Sequence, residues 1–344
     1  MSDNFDPTFD VVEHLGIDKP INHAKPLISV CITAYQHRDY IEQCLDSVLA
    51  QKCDFPYEIL LGEDESSDGT RDICIKYAEN HPDKIRLFLH SRKNNHTVAG
   101  GATGKNNFLN NLKLARGTYI AFCDGDDYWI SDEKLQKQVV ALSQTHDSLI
   151  CFHRTRCIED NIGDCGIVGD FGNNSDFINI STIIRKRGGA MPMASIMINR
   201  QLISLIIEHA YKLSGLHYFI QAIGAVRSSY GALYLPETMA CYRRNSSSSV
   251  TFNLYNTTKG KLESSKRNLL MLNIIQDLSD TSLQSTIRNA RNKIIRKAIA
   301  SELIDVMDIK ELCRAGNVSL FHYAILPSAA KLLIKRMLTS SRIN

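Results

Sequence analysis

Residues 117–129 read GTYIAFCDGDDYW, and this stretch decides the fold. Thr118–Cys123 is apolar and rich in β-formers, which predicts a buried strand. It runs without a turn signal into Asp124-Gly125-Asp126-Asp127. Three carboxylates in four residues repel one another unless something positive sits between them. A hard divalent cation with oxygen ligands, Mg²⁺ or Mn²⁺, is the natural partner, and it would hold a diphosphate there. The other reading of the same residues is a solvated acidic turn capping a helix over Ser131–Thr145.

Outward from this stretch, strands and helices alternate. Leu27–Ala34 (LISVCITA), Tyr57–Leu61 and Lys84–His90 read as strands. Tyr40–Ala50, Gly69–Asn80 and Asn106–Ala115 read as helices, with Asp68 capping the second. This alternation predicts an α/β fold with an open, mostly parallel, doubly wound sheet, which binds ligands beyond the carboxyl ends of its strands. The first strand ends in Thr33-Ala34-Tyr35, small and aromatic groups suited to a flat base. The second ends in Glu63-Asp64-Glu65, whose carboxylates can accept from ribose hydroxyls or a base N–H. Ser91–Gly104 is polar and Gly-rich, a loop able to close over a ligand. Gly100–Lys105 lacks the first Gly and the Ser/Thr of a P-loop, and no G-x-G-x-x-G follows the first strand.

The pattern changes after residue 148. Ser148–Cys157 reads as a strand and Gly163–Phe177 as a Gly/Asn/Asp-rich loop. Met193–Ile198, Ala232–Leu235 and Thr238–Arg243 read as short strands, and Ile180–Arg187, Gln201–Tyr211 and Tyr218–Ser229 as helices. Helices are then predicted over 253–278, 282–307 and 319–338.

With 44% hydrophobic and 22% charged residues among 344, the composition excludes a disordered chain or a fibre. Ten cysteines without a C-x-x-C pair or a zinc spacing read as free thiols in a reducing compartment. The acidic start carries no secretory signal pattern, and no run is long enough to span a membrane. Residues 1–250 carry 25 Lys+Arg against 30 Asp+Glu, whereas 251–344 carry 15 against 7. Basic residues interleave with apolar ones over 316–344, a pattern that suits peripheral contact with an anionic membrane. No nucleic-acid-binding module is present.

The segments SVCITAY (29–35), LDSVLAQ (45–51), EILLGEDESSDGT (58–70), GTYIAFCDGDDYW (117–129), KLQKQV (134–139) and LPETMACYR (235–243) resemble the family 2 glycosyltransferases, which have the GT-A fold. The resemblance spans about 30–245. It implies a GT-A domain over 26–250, and the lead-in over 1–25 and the basic helical region over 251–344 lie outside it. It also implies an inverting, metal-dependent transfer from a nucleotide-sugar, most simply a UDP-sugar, to a glycan or lipid-linked hydroxyl. The setting would be bacterial surface-polysaccharide synthesis, in the cytoplasm or peripherally at its membrane face. Thr33, Ala34, Tyr35 and Asp64 fall where the family holds base and ribose, and Asp124 would face the sugar-nucleotide. Asp126 or Asp127 would bind Mn²⁺ or Mg²⁺. Lys105, Asn106 or Asn107, and late in the domain Arg243, fall at donor contacts. The family's general base is an Asp before a helix, and here Gly215-Leu216-His217-Tyr218 places His217 there. Imidazole titrates near neutral pH and can take a proton. Glu208, Asp170 and Asp176 are the other candidates. A metal-dependent nucleotidyltransferase or a non-catalytic sugar-nucleotide-binding protein are the alternative readings.

Overall fold

The computed structural model describes residues 10–244, 257–300 and 306–317, except 94, 99, 100, 146, 161 and 214. The expected helix over 319–338 lies outside the described residues.

Strands β2 (Ile28–Ala34), β3 (Tyr57–Glu63), β4 (Ile85–His90) and β7 (Tyr119–Asp124) pair in parallel in the order β4-β3-β2-β7. Nearly all their residues are buried, because helices cover both faces. Ile28, Val30 and Ile32 point to α2 (Ile41–Leu49), α3 (Thr70–Asn80) and α5 (Lys134–Gln144). Cys31 points the other way, to the cluster holding Phe108 and Leu109 of α4 (Lys105–Leu114). The period of two along one strand therefore divides the core into two layers. The N-cap of α3 is Gly69, not the expected Asp68, which precedes it and accepts from the Thr70 backbone N–H at 3.0 Å.

The edge beyond β4 is closed by β1 (Val11–Glu13), antiparallel, and α1 (Pro20–His23) follows it. A buried ionic cluster ties this lead-in to the amino ends of the parallel strands. Glu58, fully buried, accepts from Arg116 Nε at 2.9 Å and Nη2 at 2.6 Å and from Ser29 Oγ at 2.7 Å. Arg86 forks onto both oxygens of Glu13 at 3.1 and 3.2 Å.

The second half of the sheet departs from the sequence reading. β12 (Met197–Asn199) inserts antiparallel between β7 and β9 (Ile150–Glu159), preceded by a 3₁₀ turn over Met193–Ser195. β13 (Ala232–Arg243) is one strand, not two. Its register against β9 shifts between Leu235 and Thr238 and again before Ala240. Pro236 has no N–H to give the ladder, so the strand bulges there instead of ending. The expected loop over Gly163–Phe177 contains β10 (Gly163–Val168), which hairpins back on β9, and β11 (Asp176–Ile178) on β13. β10 has no buried face, so it lacks the apolar alternation that marks a strand. The loop before α4 carries a two-residue hairpin, β5 (Thr97–Val98) with β6 (Gly101–Ala102), and β8 (Tyr128–Trp129) pairs β13.

Helices α6 (Ile180–Lys186), α7 (Ile203–Ala210) and α8 (His217–Val226) cover the second face. The C-terminal helices α9 (Thr258–Leu278), α10 (Gln284–Ala300) and α11 (Val306–Ala315) add Leu272, Ile275, Ile287, Ile295 and Leu312 to the same apolar cluster as Phe219 and Ile223 of α8. All ten cysteines are free thiols.

His90 ends β4 buried, with its Nε2 unpartnered. Burial, with Arg71 nearby, lowers its pKa to about 4. The unfolded chain takes up this proton near pH 6.5, the folded chain only near pH 4. Stability from this source is thus full above pH 6.5 and falls as pH drops towards 4, by ~3 kcal/mol at most. Urea unfolding at pH 7 and at acid pH is expected to show this fall, and a shallower one in His90→Leu. Equal slopes for the two proteins would remove His90 as the cause.

Candidate active site

The carboxyl ends of β2, β3 and β7 lie side by side, with Thr33 in register with Gly62 and Asp124. Thr33 Oγ1 donates to Asp124 Oδ1 at 2.9 Å, and Gly125 N–H donates to Thr33 O at 2.9 Å. The chain turns at once, with Asp127 N–H on Asp124 O at 2.9 Å. Gly125 is required by closeness: a Cβ there would lie 2.7 Å from His37 Nδ1 and 3.0 Å from Thr33 O.

The three carboxylates have different surroundings. Asp127 is 2% exposed, and its Oδ1 accepts from Arg243 N–H at 2.8 Å. Burial, then the charges of Asp126 and Asp124, push its carboxyl well above the usual range. Asp126 is the outer group, its side chain 16% exposed, with His37 Nε2 at 4.0 Å from Oδ2. Among the described residues no three His, Cys, Asp or Glu side chains converge as a ready metal cage. A cation would then draw on one or two carboxylates and on substrate oxygens, which is how Mg²⁺ is commonly held. Hard oxygen donors and mutual repulsion that a cation relieves fit such an ion.

Asp64 forms the second part of the site. It is buried, ion-paired with Arg92, and accepts from Asn95 Nδ2 at 2.9 and 3.0 Å. Burial pushes its carboxyl up, against the opposing pull of Asn95 and Arg92. The Arg92 guanidinium lies 3.7 Å from the centre of the Tyr35 ring and donates to Ala102 O at 3.0 Å. One cation thus links Tyr35, Asp64 and the loop before α4.

Other expected donor contacts are engaged elsewhere. Lys105 is buried and donates to Leu213 O at 2.7 Å, and burial lowers its pKa to about 8. Asn107 donates to Gly62 O at 2.8 Å, and a Cβ on Gly62 would collide with its Oδ1 at 1.7 Å. Both side chains fix α4 to its neighbours. Arg243 lies over Tyr40 (4.7 Å) and Tyr128 (5.4 Å) and donates to Gln43 Oε1 at 2.6 Å. Its side chain is 13% exposed, with Nη1 at 3.5 Å from Asp160.

His217 is the first residue of α8, exposed, its ring centroid 6.2 Å from that of Phe108. Asp170 is taken by Arg154 at 2.8 Å, Glu208 is 3.8 Å from His209, and Asp176 is an exposed residue of β11. Sequence reasoning missed Arg92, Asn95 and His37. The first two sit in the polar loop read only as a lid, and His37 lies two residues past Tyr35. An Arg that follows a strand beside a buried Asp was the available signal.

The fold and this arrangement define a GT-A-type α/β protein. It shares the fold of the TarS 1–349 structure from S. aureus, with a TM-score of 0.53 and 16% identity over 84% of this chain and 90% of that one. It also shares that of a mannosyltransferase from Pyrobaculum calidifontis in complex with GDP-Man and Mn²⁺, with a TM-score of 0.52 and 15% identity over 96% and 84%. Residues 29–164 match the model of glycosyl transferase family 2. An Escherichia coli UDP-Glc:alpha-D-GlcNAc-diphosphoundecaprenol beta-1,3-glucosyltransferase is 37% identical over 113 residues, 33% of this chain and 40% of that protein. The chain spans only 38–41% of the length of such curated relatives.

Arg92→Ala leaves Asp64 buried without its counter-charge, a change that costs several kcal/mol when a pair is fully buried. Scanning calorimetry is expected to show a lower melting temperature for Arg92→Ala than for the native protein, partly restored in Arg92→Ala/Asp64→Asn. An unchanged melting temperature for Arg92→Ala would show that the pair contributes nothing to the fold.

Proposed function

We propose that the whole chain is an inverting, divalent-metal-dependent glycosyltransferase. It moves a sugar from a nucleotide-sugar, most simply a UDP-sugar, to a hydroxyl of a lipid-linked glycan in surface-polysaccharide synthesis, at the cytoplasmic membrane face. The observation that carries this reading is the Asp124–Asp127 turn at the end of β7, joined by Thr33 to β2 and flanked by Asp64 on β3.

Tyr35 and Arg92 offer a flat face for a base, and Asp64 accepts from the base or ribose. Thr33 and Ala34 line the floor beneath. Asp124 faces the sugar-nucleotide. Asp126, with the Asp127 oxygen not bonded to Arg243, would hold Mn²⁺ or Mg²⁺. That ion supplies charge stabilisation for the departing nucleoside diphosphate. Arg243, close by through its backbone bond to Asp127, adds a cation at the same end. Lys105 and Asn107 act through α4 by fixing its position rather than by touching the donor. His217 takes the proton of the acceptor hydroxyl as that oxygen attacks the anomeric carbon. The bond to the diphosphate breaks on the opposite side, and configuration inverts. The E. coli relative, named for UDP-Glc and a diphosphoundecaprenol-linked acceptor, supports donor and acceptor class. The mannosyltransferase complex supports Mn²⁺.

Two measurements test this. In a thermal-shift screen of UDP-sugars and GDP-Man with Mn²⁺, at least one UDP-sugar is expected to raise the melting temperature of the native protein but not of Asp126→Asn. Stabilisation by no nucleotide-sugar would refute the site. His217→Ala is expected to lower kcat on the order of 100-fold while leaving donor affinity unchanged. Donor binding without any turnover in the native protein would favour a binding role instead.

A further inference from the structure

The C-terminal charge excess takes a definite shape in the fold. On α10, Ile287, Ala290, Ile294 and Ile295 are buried in the core. Arg291 turns inward too, donating to Gln276 at 2.6 Å and to Asn273, so it is not part of the exposed cluster. Lys293, Arg296 and Lys297 stand on the outer face. Across a groove, α6 adds exposed Arg185 and, just past its end, half-buried Arg187. Ser181 and Thr286 join the two helices at 3.2 Å. Neither helix carries an acidic residue. Among the described residues none of these five cations is in an ion pair with a carboxylate. An open groove of about 610 Å³ along α10 is lined by polar and basic side chains, and a smaller one of about 220 Å³ against α6 has Ile184 and Ala290 in its lining.

Five cations on one face, none ion-paired among the described residues, make a surface of positive potential that attracts an anionic partner. The shape decides which partner. The cations are spread along an open face instead of converging on a buried point, as a single phosphate would require. No aromatic side chain lines either groove for a base to stack on. The face also has a fixed relation to the active site. Arg187 holds φ at 50°, and the following Gly188 would bring a Cβ to 3.2 Å from Tyr218, the neighbour of His217. One end of the groove therefore adjoins the first turn of α8. No helix among the described residues is long and apolar enough to cross a membrane.

We infer that the α6/α10 face is a docking surface for an anionic phospholipid bilayer, which sets the first turn of α8 towards the membrane. This deepens, and rests for its purpose on, the reading of a lipid-linked acceptor. It differs from attachment through 316–344, most of which lies outside the described residues.

Sedimentation of the full-length protein with vesicles tests it without any substrate. The protein is expected to pellet with phosphatidylcholine–phosphatidylglycerol vesicles at low salt, and not with phosphatidylcholine alone or at high salt. Lys293→Gln/Arg296→Gln/Lys297→Gln is expected to weaken binding roughly fivefold per charge, about a hundredfold in all. Lys293→Arg/Lys297→Arg keeps the charge and is expected to bind as the native protein does. Native-like pelleting of the neutralised variant overturns the inference, as does equal loss in both variants. So does loss confined to Lys331→Gln/Lys335→Gln/Arg336→Gln, or binding of RNA in place of vesicles. UDP-sugar stabilisation is read in parallel. If it persists while vesicle binding is absent, the docking surface fails and the glycosyltransferase reading stands. Vesicle binding without donor binding gives the reverse.

Discussion

Four parallel strands buried on both faces leave polar side chains only one place to go, the strand ends. This constraint organises the molecule. At the amino ends, Ser29, Glu58, Arg86 and Arg116 form a closed cluster whose partners all lie within the protein. At the carboxyl ends, Thr33, Asp64 and Asp124–Asp127 gather acids in excess of the cations available to them. The same geometry yields a closed ionic network at one edge and a concentration of carboxylates at the other, where such a sheet binds ligands. Gly117 shows how tight the structural end is, since a Cβ there would sit 2.5 Å from Ser29 N.

What the sequence made legible follows from this. β2, β3 and β7 are continuous apolar runs, and each hands over abruptly to polar residues. Local pattern therefore located both the strands and the groups at their ends. The less legible parts depend on contacts between distant segments. β12 is three residues long and is a strand only because β7 and β9 flank it. β10 has no buried face to impose alternation. The partner of Asp64 comes from 28 positions later, on a loop whose composition says only that it is not regular. Lys105 and Asn107 carry a second role that the pattern does not show. Their residue types suit a phosphate or sugar, but a helix packed against β3 and the segment after α7 also needs buried donors, and each side chain gives one bond to a backbone carbonyl there.

The C-terminal region likewise looks different once folded. As sequence it is a basic appendage. In the structure α9, α10 and α11 complete the apolar cluster over α8, and the charge that remains outside is only the part that cannot face that core. Arg291 and Lys293, two positions apart, point into and out of the protein. A helix of 3.6 residues per turn sorts them in a way that counting charges does not.

Asp127 shows how the two halves depend on each other. A carboxylate 2% exposed beside two others is costly, and its Oδ1 accepts from a backbone N–H, not from a cation. That N–H belongs to Arg243, at the far end of β13, 116 residues on. The bond fixes the last strand of the second half against the acidic turn of the first. It also brings the Arg243 guanidinium onto Tyr40 and Tyr128, at the same edge. An Asn at 127 would keep the acceptor but lose the charge, so it would preserve the seam while removing the repulsion that a cation relieves. Placement and charge are thus separate contributions of one side chain. The first belongs to the fold and the second to the chemistry.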